Sequence, residues 1–318
     1  MNNPLLKRVH GMVQRTPPKA VFTRLQRAPI FYNKPHLGDA YDIICQQHAH
    51  LDLDRVRKVF SLGQVLASRH HTRLWTFDGD GTLYDDGGSL MTGSPIVSKL
   101  LQLLEDESKH VAIVTAASYP GNPKGFENRL FGLLDAIPSD RRNRVHIIGG
   151  CCNYYLNLNA NGHLVFDTTW NALPDLDKST IENTLSVAHE LLAKHVLDRD
   201  LDALFVTKPY AVGIVSGNKN QKNWTFDTLD AIALDVGKQL KELKVPICVF
   251  NGGNDVFIDI GDKSYGIAAL QERINVLPQE TLHFGDRFTR TGNDMSTARV
   301  ADVVWVSGPN ETLEFLSI

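Results

Sequence analysis

Apolar positions along the chain change period several times, and each change marks an element. Leu51, Val56, Phe60, Leu62 and Leu66 recur at roughly helical spacing with charges between them. They predict one or two helices between Ala40 and Ser68. Leu74-Trp75-Thr76-Phe77 then runs without a charge and reads as a buried strand. Val111-Ala112-Ile113-Val114 is a second such run, ending at Thr115, and Arg144 to Ile148 is a third, stopped by Gly149-Gly150. Helical patterns fill the intervals, from Pro95 to Glu107 and from Gly125 to Leu134. Ser94 is the expected cap of the first, with Pro95 in its first turn. Strand alternating with helix at this spacing predicts a parallel, doubly wound sheet.

The pattern changes after Cys151. Tyr154 to Phe166 reads as a hairpin turning at Asn161-Gly162, a pair suited to the positive φ of such turns. A helix from Lys178 to His195, strands Leu204–Thr207 and Ala211–Val215, and a helix from Thr225 to Leu243 follow. This is an α+β insertion, expected as a cap. The core is expected to resume near Asp255, with a strand over 256–260 leading to Lys263 and a helix from Tyr265 to Ile274. Strands over 281–284 and 303–306 and a last helix from Glu311 follow. The expected fold class is α/β, a doubly wound parallel sheet with an inserted α+β cap domain. Its parts are a basic arm and helical region over 1–73, a core over 74–150 and 255–318, and a cap over 151–254.

The length of 318 residues suffices for such a domain with an insertion. No apolar run approaches the roughly 20 residues of a membrane helix, and no secretory signal pattern is seen. Cys45, Cys151, Cys152 and Cys248 have no finger spacing, which points to a reduced, cytoplasmic protein. His48, His50, His70 and His71 lack an acid or cysteine to complete a metal set. The net charge of −3 conceals an asymmetry: Lys7, Arg8, Arg15, Lys19, Arg24, Arg27 and Lys34 face no acid over residues 1–36. That arm suits an anionic effector, a nucleic acid, a membrane surface, a transit peptide or a solvated tail. The acidic remainder argues against nucleic acid as a partner, since phosphate neutralisation dominates such binding.

Asp78 and Asp80 follow the first strand directly, and Gly79 and Gly81 allow a sharp turn there. Ligands of open α/β sheets bind beyond the carboxyl ends of strands. Thr115, Lys263, and Asp286 with Asn293-Asp294 stand at other expected strand ends or the adjoining loops. Each type has a use in phosphoryl transfer. A carboxylate, Asp78, attacks phosphorus. A second acid, Asp80, moves the proton. Asp78, the carbonyl of Asp80 and Asp286 offer oxygen ligands to Mg²⁺, with Asp294 in support. Thr115 offers a hydroxyl and an N–H to phosphate, and Lys263 a positive charge. Asp86 and Asp255 lie away from the phosphate and can accept hydrogen bonds from ribose or base. Of the aromatic residues Tyr154, Tyr155, Trp170, Tyr210 and Trp224, one could stack on a purine.

The ordered set Asp78-Gly79-Asp80-Gly81-Thr82, Thr115, Lys263 and Gly285-Asp286 to Asn293-Asp294 resembles the four motifs of haloacid-dehalogenase-type phosphatases. Longer strings narrow the resemblance. The run 76–87, the runs 250–256 and 259–266, and the run 285–294 resemble the IMP-specific 5′-nucleotidases. The resemblance implies hydrolysis of inosine 5′-monophosphate (IMP) to inosine and phosphate with Mg²⁺, in a cytoplasmic homo-oligomer, a tetramer. It implies Asp78 as nucleophile and Mg²⁺ ligand, Asp80 as proton donor, Mg²⁺ ligand and substrate contact, and Asp286 as completing the metal site. It further implies Asp86, Thr115, Asp255 and Lys263 as nucleotide contacts, and ATP as an activator acting through residues 1–73. No phosphate-binding loop of the GxxxxGKS type is present there. Two rivals stay open: a capped phosphatase or mutase of sugar phosphates, and a nucleotide-binding regulator without turnover.

Overall fold

Strand β1 (Leu74–Phe77) lies in the middle of a seven-stranded sheet, and its neighbours show why the apolar run is continuous. In the computed structural model, residues 32–45, 52–218 and 221–318 are described. β1 pairs in parallel with β2 (His110–Val114) on one side and β10 (Thr281–Gly285) on the other. β11 (Asp302–Trp305) and β3 (Val145–Gly149) extend the parallel array outward. Period-two alternation sends side chains to both faces. Trp75, Phe77, Val111, Ile113 and Phe284 pack with α1 (Leu37–Cys45), α2 (Leu53–Ser68), α3 (Pro95–Leu103), α4 (Pro123–Leu134) and α8 (Pro309–Leu316). Leu74, Ala112, Val114 and Ile148 pack on α7 (Lys263–Ile274). The sheet is covered on both sides, as a parallel sheet requires.

Two edges of the expected insertion move. β4 (Tyr154–Leu158) and β5 (Leu164–Phe166) form the hairpin, turning near Gly162 at φ 85°, but they extend the core sheet as antiparallel strands beside β3. β9 (Asp255–Ile260) does not belong to the core: it pairs with β7 (Ala211–Ser216) and β8 (Ile247–Asn251). The second sheet, ordered β6-β7-β9-β8 with β6 at Ala203–Lys208, is antiparallel throughout. Thus the boundaries at 150/151 and 254/255 shift to the end of β5 and the end of β9. The reason is non-local pairing, which a strand's own residues do not reveal. α5 (Lys178–Asp198) and α6 (Phe226–Leu240) cover one face of this cap through Leu185, Ala188, Leu192, Leu229, Ile232 and Val236.

Local signals explain the helix starts. Asp52, Asp177 and Thr225 each accept a backbone N–H at the start of α2, α5 and α6. Ser94 does not cap α3 with its side chain; Pro95, needing no N–H partner, begins that helix alone. Most of the basic arm, with His48 and His50, lies outside the described residues. Among the described residues no helix is long and apolar enough to cross a membrane.

Candidate active site

The alternation that buries Leu74 and Thr76 on the α7 side carries Asp78 to the same side, just past the end of β1. Its backbone N–H extends the ladder to the Phe284 carbonyl, 2.8 Å. Asp78 Oδ1 accepts from the Gly79 N–H at 2.7 Å and from Lys263 Nζ at 2.8 Å. Lys263 also reaches Asp294 Oδ1 at 2.6 Å. Gly81 has φ +71°, and a Cβ there would stand 2.6 Å from Asp286 Oδ2, so this turn admits the Asp286 loop only without a side chain. Carboxylate oxygens of Asp78, Asp286 and Asp294 lie within 4.8 Å of one another.

Burial and charge set the ionisation of this cluster. Burial pushes Asp78 well above its usual range, opposed by Lys263. Burial and the Asp294 charge raise Asp286 to about 6. Burial works against the Asp294 charge too, yet Lys263 and the His283 hydrogen bond outweigh it and hold Asp294 below the ordinary carboxylate range. Burial alone would lower Lys263; Asp294 and Asp78 instead raise it, so it stays charged. His283 is pushed down by burial. Its Nε2 is 3.1 Å from Asp294 Oδ1 and its Nδ1 is 2.9 Å from Thr76 Oγ1. A carboxylate only accepts, so the proton sits on Nε2 and the Thr76 hydroxyl donates to Nδ1. Three carboxylates thus face one buried ammonium, and Asp286 Oδ1 is buried without a hydrogen-bond partner. An all-oxygen set with surplus negative charge and an orphaned acceptor fits a hard divalent cation.

Other expected site residues are brought to the same cavity, of about 480 Å³. Asp80, Thr115 and Asp86 line it from the core, and Asp255 from the cap strand β9. The Asp80 carboxylate is outside the acid cluster. Its Oδ1 accepts from the Gly87 N–H at 2.8 Å and lies 3.6 Å from the Arg129 guanidinium. Asp86 is exposed. Asp255 has one buried oxygen without a partner, and burial, then the Asp86 charge, raise it to about 6.

Two residues sit differently from expectation. The Thr115 N–H is not offered to a ligand: it donates to the Ile148 carbonyl at 2.9 Å, because β2 still pairs with β3 at that point. Its hydroxyl, accepting from the Ala117 N–H at 3.1 Å, is the group left at the cavity. Lys263 is not on the cavity wall. It opens α7, is wholly buried, and lies between two carboxylates. The Asp262 side chain caps the helix, accepting from the Ser264 N–H at 2.8 Å, and this turns Lys263 inward. His283, Thr76, Arg129 and Arg287 were missed as site residues. A histidine and a threonine inside otherwise apolar strands were the available signal for the first two.

Asp259, on β9, lines the cavity and accepts the Cys151 thiol at 3.1 Å. Burial raises it to about 7. Its folded value lies above the unfolded one, so its cost to stability grows as pH rises between them. Asp259→Asn is expected to leave thermal stability little changed near pH 3.5 and to add about 1–3 kcal/mol or more at pH 8. Melting curves at the two pH values check this; an equal shift at both would exclude it.

A strand-end aspartate pair, a buried lysine between acids and a cavity walled by an α/β core and a cap bring together the residues on which the haloacid-dehalogenase resemblance rests. The family model for IMP-specific 5′-nucleotidase matches residues 22–316. The chain belongs to the IMP-specific 5′-nucleotidase family, whose members are phosphoric monoester hydrolases. It is 36% identical over 255 residues to IMP-specific 5′-nucleotidase 1 of Schizosaccharomyces pombe, an alignment covering 76% of this chain and 62% of that relative's length. An IMP-bound mutant of Plasmodium falciparum IMP-nucleotidase superposes with TM-score 0.85 at 26% identity, covering 99% of this chain and 86% of that one. An ATP-bound structure of the same Plasmodium falciparum enzyme gives TM-score 0.78 at 26% identity, covering 99% and 80%.

Proposed function

We propose that this chain hydrolyses inosine 5′-monophosphate to inosine and phosphate, through an aspartyl-phosphate on Asp78. The observation that carries the reading is the buried Asp78–Lys263–Asp294 arrangement, of which Asp78 lines a cavity walled by core and cap. Asp78 Oδ1 is anchored by Gly79 and Lys263, leaving Oδ2 as the attacking oxygen. Its bond to phosphorus forms as the bond to the ester oxygen breaks, and Asp80 gives that oxygen its proton. Asp80 then takes a proton from water, which attacks the phosphorus and releases phosphate and free Asp78. Gly87 and Arg129 hold the Asp80 carboxylate for both transfers.

A phosphate dianion entering a site with surplus carboxylates needs positive charge. Asp78, Asp286 and the Asp80 carbonyl are proposed to hold Mg²⁺, with Asp294 supporting them; the ion supplies charge neutralisation at the phosphoryl oxygens. Lys263 has the different task of holding Asp294 ionised and opposing the rise that burial imposes on Asp78. The Thr115 hydroxyl is proposed to contact the phosphate. Asp86 and the unpartnered Asp255 oxygen are proposed to accept from the ribose or base, where an unpaired buried acceptor penalises the wrong substrate.

A phosphate-release panel of IMP, GMP, AMP and sugar phosphates tests the reading. IMP is expected to give the highest kcat/KM, EDTA to abolish turnover, and Mg²⁺ to restore it. Preference for a sugar phosphate, or no phosphate release from IMP, would overturn it. The ATP-bound Plasmodium falciparum structure supports ATP as a ligand of this chain, and its role is proposed to be activation. The curve of rate against IMP concentration is then expected to shift when ATP is added. A cytoplasmic homo-oligomer, a tetramer, completes the proposal, with light scattering as its check.

A further inference from the structure

The segment from Asp286 to Asp294 carries two acids of the cluster at its ends, and its middle is fastened to the cap. The Arg287 guanidinium donates to the Gly252 carbonyl at 2.9 Å and, more weakly, to the Asn251 carbonyl at 3.4 Å. The same guanidinium holds Asp286 Oδ2 at 3.2 Å through Nε. Four residues on, the Thr291 carbonyl accepts the Asn251 N–H at 2.9 Å. The buried Thr291 hydroxyl donates to the carboxylate of Asp230 on the cap helix α6. The loop is also closed on itself. The Asp294 N–H donates to the Arg287 carbonyl at 3.3 Å, and the Arg287 N–H donates to Asp294 Oδ2 at 3.0 Å. Gly292 lies against the Arg287 carbonyl so closely that a Cβ would collide with it. A closed, tightly packed hoop transmits displacement from its middle to its ends; a slack loop does not.

We propose that Asp230 and Thr291 are positioning residues: the cap contact of the 286–294 hoop holds Asp286 and Asp294 where they can bind the cation. Neither Asp230 nor Thr291 lines the cavity, so their action passes through the hoop and not through substrate. Arg287 does line it, and is a less clean probe. The inference rests on the reading of Asp286 and Asp294 as the acids of the phosphatase site.

The test uses Thr291→Val, Asp230→Ala and Asp230→Asn in the full chain. Two quantities are measured: the Mg²⁺ dissociation constant by calorimetry without nucleotide, and kcat and KM for IMP. Thr291→Val and Asp230→Ala are expected to weaken Mg²⁺ binding by about threefold or more and lower kcat by about fivefold or more, with KM changed less than about twofold. Asp230→Asn keeps an oxygen for the Thr291 hydroxyl and is expected to restore both quantities to within about twofold of wild type. Unchanged Mg²⁺ affinity, or a rise in KM alone, would overturn the proposal, since the hoop would then only dock the cap. If Thr291→Val fails to fold, the Asp230 pair, at a half-buried helix position, decides alone. If wild type releases no phosphate from IMP, the hydrolase reading fails while the calorimetry still judges the hoop.

Discussion

Asp78→Asn is expected to lower kcat for phosphate release from IMP by about 10⁴-fold or more, because no other group in the site can take over the attack. The amide keeps the shape of the carboxylate, and its oxygen can still accept from Gly79 and Lys263. Folding should therefore survive, and melting temperature is expected to move little or to rise, since a buried charge has been removed. Purified variant and wild type are compared by single-turnover phosphate release and by thermal melting. A variant with near-normal turnover would end the covalent mechanism. A variant that is inactive because it is unfolded would say nothing of attack, and the melting curve separates that case.

Lys263→Met is expected to damage both stability and activity. The ammonium lies between two buried carboxylates, and methionine leaves them facing each other without a counter-charge. Removing one partner of a buried ion pair costs about 3–5 kcal/mol, which in a chain of this size lowers Tm by on the order of 10 °C. The sign of the pH dependence follows from Asp294. In wild type its folded pKa lies below the unfolded one, so it contributes stability above the unfolded value, lost on acidification. Without Lys263 that contribution disappears, so the deficit relative to wild type is expected to be full at pH 6 and to shrink as pH falls below about 4. Lys263→Arg should not rescue: a wholly buried slot shaped for a compact ammonium has no room for a planar guanidinium. Activity of Lys263→Met is expected to fall by at least about 10²-fold. Wild-type stability in the variant would mean that the two carboxylates do not need the lysine.

Much of this was readable beforehand, for definite reasons. β1 could be found because Leu74 to Phe77 is buried on both faces and ends at a charged pair with glycines. Asp78, Asp80, Thr115 and Asp286 could be found because parallel strands end at one edge of their sheet, so residues far apart in sequence share a place. What escaped was non-local. β8 has only five residues, and its partner β9 leads straight to Lys263, so β9 looked like part of the core. The burial of Lys263 escaped because the cause is Asp294, which lies thirty-one residues away. The engagement of the Thr115 N–H escaped because nothing local says that β2 keeps its hydrogen bond to Ile148 one residue past its end.

The cap is suspended from the core by two unequal tethers. Between β5 and α5 the chain has residues 167–177 in which to bend, whereas β9 passes into α7 through Gly261 and Asp262 alone. Gly261 has φ +77°, and a side chain there would collide with the Cys152 sulfur. Were the cap to swing, the short tether would be the pivot and the long one the slack, and the turn would centre on the point where Lys263 begins. The ammonium beneath the attacking carboxylate lies almost on that axis, where rotation produces the least travel. Such a turn would open the cavity while leaving the charge under Asp78 in place.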